Sequence, residues 1–104
     1  MENLAFSFNG GTRRLPRESA LTGVVGSGNL EVLVEAADLG GACRVEISTA
    51  ARGFGKTWEA VIGDFHARWR LADARISIND MGATPAVVSL RLDQAVEAML
   101  GEDA

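Results

Sequence analysis

CRVEISTAARGFGKTWEAVIGDFHARW, residues 43–69, changes its hydrophobic period partway along. In its first seven residues Val45, Ile47 and Thr49 alternate with Arg44, Glu46 and Ser48. Side chains of a strand point to opposite faces in turn, so this piece predicts a strand with one apolar face. Further on, Trp58, Val61, Ile62, Phe65 and Trp69 recur at helical spacing. They form one stripe of an amphipathic helix. Gly53 and Gly55 stand just before it, and Arg68 and Arg70 near its end suit the negative pole of a helix. A strand followed by a helix, each apolar on one side, predicts a sheet with a helix packed against it.

The flanks extend the pattern. Leu30, Val32 and Val34 oppose Glu31 and Glu35, which predicts a strand over 30–35. Before it, an apolar run at 21–25 is interrupted by Gly26-Ser27-Gly28-Asn29, giving strand, glycine-rich turn, strand. Leu4, Phe6 and Phe8 alternate and predict a short edge strand over 3–8. Asn9-Gly10-Gly11-Thr12 reads as a turn, Gly40-Gly41 as a second break, and Arg13 to Ser19 as a basic connection. Downstream, Ile76 and Ile78 mark a strand over 74–79, and Asp80-Met81-Gly82 a turn. Val88, Leu90 and Leu92 alternate after Pro85, which predicts a last strand over 86–92. Asp93 then caps a short final helix that sends Val96, Met99 and Leu100 to the core. The expected class is α+β: a mainly antiparallel sheet of four or five strands, with one long helix and a short C-terminal helix on one face. The chain reads as a single domain over 1–104, partly irregular over 1–20 and frayed over 101–104.

Composition narrows the function classes. The 104 residues carry a net charge of -4, which argues against a nucleic-acid partner that needs a basic field. No run approaches the roughly 20 apolar residues of a membrane helix, and no secretory leader is seen. A single cysteine, Cys43, forms no intrachain disulfide and no thiolate metal site by itself. A cytoplasmic setting is the expectation.

Four groups of residues invite chemistry. Gly53-Phe54-Gly55-Lys56-Thr57 ends like a phosphate-binding loop, and Asp80 ends a later strand where a magnesium-binding carboxylate belongs. The pattern needs a glycine where this chain has Ala50, so the glycines read instead as turns before a helix. His66 is the only histidine and reads as a surface or half-buried helix residue. Cys43 is expected to be structural, at a strand start on the less apolar face. Glu31 and Glu35 are about 13 Å apart along a strand, too far for acid–base work on one bond. That leaves Gly26-Ser27-Gly28. Flanking glycines allow a tight turn that presents a hydroxyl. With no histidine near it in sequence, nucleophilic catalysis is poorly supported, whereas covalent modification and a plain hairpin turn both remain open.

Two longer blocks decide between those readings. Leu21-Thr22-Gly23-Val24-Val25-Gly26-Ser27-Gly28-Asn29-Leu30-Glu31-Val32-Leu33-Val34-Glu35 resembles the serine segment of the malonate decarboxylase acyl carrier (delta subunit) family. Ile76 to Ala95 is similar to the same family, and the likeness covers most of residues 20–100. The citrate lyase acyl carrier proteins resemble it less well in the second block. The resemblance implies a non-catalytic carrier with 2'-(5''-phosphoribosyl)-3'-dephospho-coenzyme A joined to Ser27 by a phosphodiester, Gly26 and Gly28 shaping the turn. It implies acetyl and malonyl thioesters as cargo. It implies as partners the acetyl/malonyl transferase subunits, the malonyl decarboxylase subunits and the transferase that attaches the cofactor. Asn29 stands where the family more often has aspartate. Arg13, Arg14 and Arg17 are candidates for the cofactor phosphates. A noncovalent adaptor role is the remaining alternative.

Overall fold

The computed structural model describes residues 1–15, 25–26 and 29–100. The strands are β1 (Glu2–Phe8), β2 (Arg13–Arg14), β3 (Val25–Gly26), β4 (Leu30–Ala36), β5 (Cys43–Thr49), β6 (Leu71–Ala72) and β7 (Ala74–Asp80). The helices are α1 (Gly55–Trp69) and α2 (Pro85–Leu100). The main sheet has the order β1-β5-β7-β4-β3, and β2 pairs with β6 beside it. β5 and β7, its two parallel strands, are neighbours, because α1 carries the chain back between them. The remaining three pairings of the sheet are antiparallel.

Register explains the core. Leu4, Ile47, Ile78 and Val32 lie in one row across the sheet, and Phe6, Val45, Ile76 and Val34 in the next. The interior strands bury this face completely, while β1 at the edge leaves its apolar side chains half-buried. Both helices cover it. α1 buries Trp58, Ile62 and Phe65, and α2 buries Val88, Leu92, Ala95, Val96 and Met99. The expected class holds, with helices on one face of a mainly antiparallel sheet.

One element differs from its expectation. Residues 86–92 are not a strand; they are the first half of α2, which runs 16 residues and is not short. Leu90, expected to be inward, is 51% exposed. Val88, Leu92, Ala95, Val96 and Met99 are spaced i, i+4, i+7, i+8, i+11, which is a helical stripe. Thr84 caps the start, its Oγ1 accepting the Val87 N–H at 3.3 Å, and Pro85 occupies the first helical position. Asp93 therefore sits inside the helix. Its carboxylate accepts Trp69 Nε1–H at 2.8 Å and pairs with Arg68 at 3.0 Å, fastening α2 to the end of α1.

The amino-terminal segment is fixed by a close approach at Gly11. A methyl group there would stand 2.8 Å from the Cα of Ala72 and closer still to the Leu71 carbonyl. Only a residue without a side chain lets this backbone lie against the start of β6. The Thr12 and Arg13 N–H groups both donate to the Arg70 carbonyl across that contact.

Candidate functional site

β3 and β4 are antiparallel, with Gly26 opposite Glu31 and Val25 opposite Val32. The chain therefore reverses direction between Gly26 and Leu30. Ser27 and Gly28 fall in that interval and lie outside the described residues, as does Arg17. The residues that frame the interval are well defined. Asn29 accepts the Met81 N–H on its carbonyl at 2.9 Å, and Leu30 stands opposite Asp80. The row continues from Asp80 to Thr49 and then to Glu2.

This end of the sheet collects several features. β5 leads into α1 and β7 into α2, so both helices begin here. Neither has an acidic residue in its first turn, and the carboxylates nearest the two starts, Glu2 before α1 and Asp80 before α2, accept N–H groups of the preceding loops. Asp80, 3% exposed, organises the turn. One carboxylate oxygen accepts the Gly82 and Ala83 N–H groups at 3.2 and 2.8 Å, and the other accepts the Thr49 hydroxyl at 2.8 Å. A buried carboxylate held by three donors is an anchor, and it is not displayed as a metal ligand. On the opposite side Glu2 Oε1 accepts the Gly53 N–H at 3.1 Å and ties β1 to the loop before α1. Lys56 is exposed on α1. The apparent phosphate-loop pattern is thus a loop and a helix start, as expected.

The other candidates are placed elsewhere. Glu31 and Glu35 lie on the open face of the sheet, opposite Asn79 and Arg75. Cys43 does not sit on the less apolar face; it is fully buried in the core row of Phe8 and Ala74. Burial pushes its thiol up to about 11, so it is a poor thiolate. Arg14 pairs with Asp73, whose carboxylate also accepts the Leu39 and Gly41 N–H groups at 3.0 and 2.8 Å. Arg13 lies over the Trp69 ring at 5.4 Å. Both arginines belong to the opposite end of the sheet, about 20 Å of strand from the Ser27 interval. They do not face it. Among the described residues no cluster of three His, Cys, Asp or Glu side chains is arranged to hold a metal ion.

His66 stacks on Phe8, ring centroids 4.6 Å apart, a contact between helix and edge strand that sequence spacing does not reveal. Burial, helped by the Arg70 charge, lowers its pKa from 6.5. The unfolded chain then binds the proton more readily than the folded one. Its contribution is complete above pH 6.5 and is lost as pH falls from there through the folded value. The Asp73 carboxylate, lowered from 3.8 chiefly by the Gly41 and Leu39 N–H groups, contributes in the same sense only in a more acidic window. Thermal melts should therefore show the wild type losing stability between pH 7 and pH 5. A His66→Phe variant, which keeps a ring against Phe8, should lose distinctly less.

Comparison with known proteins gives concordant results. The family description "Malonate decarboxylase delta subunit (MdcD)" matches residues 17–99. A malonate decarboxylase acyl carrier protein of Xanthomonas campestris pv. campestris is 61% identical over the full length of both chains. One from Burkholderia cepacia is 63% identical over 95 residues, 91% of this chain and 87% of its own. A chain in the crystal structure of a Pseudomonas malonate decarboxylase hetero-tetramer in complex with malonate superposes with a TM-score of 0.78 at 32% identity, covering 95% of this chain and 99% of that one.

Proposed function

The chain belongs to the malonate decarboxylase delta-subunit family, and from that premise we propose that it is the acyl carrier subunit of a malonate decarboxylase complex, with Ser27 as the anchor of its prosthetic group. The group is 2'-(5''-phosphoribosyl)-3'-dephospho-coenzyme A, joined through a phosphodiester. When attached, it supplies a terminal thiol on which acetyl or malonyl is held as a thioester. The chain itself is a non-catalytic carrier, one domain working in the cytoplasm. Acyl exchange, decarboxylation and loading belong to transferase, decarboxylase and cofactor-attaching partners.

The observation that carries this reading is the reversal between β3 and β4. Gly26 and Leu30, which bracket the serine, stand at the end of the sheet from which both helices start, and this supports a turn there as the anchor. Gly26 ends β3 and Gly28 follows the serine, so bulk is minimal on both sides of the hydroxyl. Arg13 and Arg14, candidates for the cofactor phosphates, are engaged at the other end of the sheet. Among the described residues no helix is long and apolar enough to cross a membrane. The relatives are malonate decarboxylase acyl carrier proteins, which favours malonate over citrate chemistry.

Intact mass and peptide mapping of the native complex test the proposal. The expected result is one covalent addition on the peptide that contains Ser27. An active complex with Ser27 bare and the group bonded elsewhere would overturn it.

A further inference from the structure

An apolar cavity of about 160 Å³ lies between the starts of α1 and α2, at the end of the sheet where Asn29 and Leu30 stand, and nothing in the carrier reading requires it. Phe54, Trp58 and Val61 line it from the α1 side, Ala83 and Val88 from the α2 side, and Asp80 from the end of β7. The turn that forms one wall is the one bonded to Asn29 through the Met81 N–H. Met81 directly precedes Gly82 and Ala83 of the lining, so Asn29 is joined to the cavity wall through one backbone bond. Phe54 of the lining is 52% exposed and Met81 on the adjoining turn 58% exposed, both large apolar side chains left in water. The other two hollows differ: one is shallow and lies over Ser48, Ser77 and Asn79, and one lies at the Arg14–Asp73 end.

We propose that this cavity receives the thiol-bearing end of the chain's own prosthetic arm, and with it the acetyl group, while rejecting the malonyl form. The inference rests on the carrier reading above. Its size argument is direct: an apolar cavity of about 150 Å³ holds a benzene-sized ligand of about six non-hydrogen atoms. An acetyl group, the sulfur and two methylenes make the same number. A malonyl group adds a carboxylate, and burying that charge without a partner is costly. Asp80, the acidic residue of the lining, adds like-charge repulsion. The walls therefore sort the two forms, sheltering acetyl from hydrolysis and leaving malonyl outside for a partner.

The test is the alkylation rate of the arm thiol in deacylated holo-protein with iodoacetamide, read by mass. Cys43, buried and with a raised pKa, stays silent under native conditions. The wild-type thiol should react roughly fivefold slower than dephospho-coenzyme A, as for an arm resident about four-fifths of the time. Thr57→Phe, at an exposed wall position, should fill the cavity and restore the free rate. Ala83→Leu fills it from the other wall and replaces Thr57→Phe should that variant not fold. Hydroxylamine cleavage should be slowed for the acetyl thioester and not for the malonyl thioester. A loaded wild-type chain whose thiol reacts at the free rate, or whose protection survives filling, overturns this inference alone. Material lacking any addition on Ser27 overturns the carrier reading instead.

Discussion

Ser27→Ala should abolish loading of the prosthetic group completely while leaving the fold intact. The substitution removes one oxygen and adds no bulk. Surface changes of that kind usually stay within about 0.5 kcal/mol. The other serines of the described sheet lie inside paired strands and not in a glycine-flanked turn: Ser7 in β1, exposed, and Ser48 in β5 and Ser77 in β7, half-buried. Intact mass after incubation with the attaching transferase and the cofactor precursor should show a full shift for the wild type and none for the variant. A thermal melt should superpose the two. Loading of the Ser27→Ala chain would remove the assignment, and a collapsed melt would show that the hydroxyl has a structural task.

Asp80→Ala should be the most damaging single change at the site end. It deletes the acceptor of two backbone N–H groups and of the Thr49 hydroxyl. Hydrogen bonds to a charged group each contribute about 1.5–3 kcal/mol, and buried donors left unpaired add a desolvation cost. The three bonds share one carboxylate and are not additive, so a net loss of about 3 kcal/mol is expected. For a domain of this length, whose stability is on the order of 5–15 kcal/mol, that is a large fraction. Chemical denaturation gives the number directly. Asp80→Asn retains an oxygen for the turn and an amide near Thr49, and should recover about half of the loss. The functional side is separable: the turn at 81–84 holds Asn29, so the alanine variant should also load more slowly than its folded fraction explains. An unchanged denaturation midpoint would contradict the anchoring role.

The α1 stripe was legible because five apolar residues at helical spacing allow no other period. α2 was not legible in its first half, because Ala86 to Leu92 satisfies both periods and Val87, Val88 favour a strand locally. The decision lies in the later residues, where Ala95 and Val96 continue the helical stripe, and in Thr84-Pro85, a cap and first helical position. The parallel pairing of β5 and β7 depends on a crossover with no local signal. Asp80 looked like the end of a strand and a turn, which it is. Its anchoring role was hidden, because the hydroxyl that bonds it comes from Thr49, 31 residues away in another strand. Gly-Ser-Gly carried almost no specificity alone, and its meaning came from the longer resemblance around it. The cavity was invisible in sequence, since its walls come from a loop, a turn and two helices.

The pairing of Glu2 with Thr49, and its bond to Gly53, sets where an experimenter can add to this protein. The first strand starts at the same end of the sheet as the Ser27 interval but on the opposite edge, so a purification handle or fluorophore fused ahead of Met1 would emerge from the end where partner enzymes are expected to gain access. Leu100 ends a helix about 24 Å long that starts at that end. Labels for docking measurements therefore belong after the last helix, where they leave the working end clear.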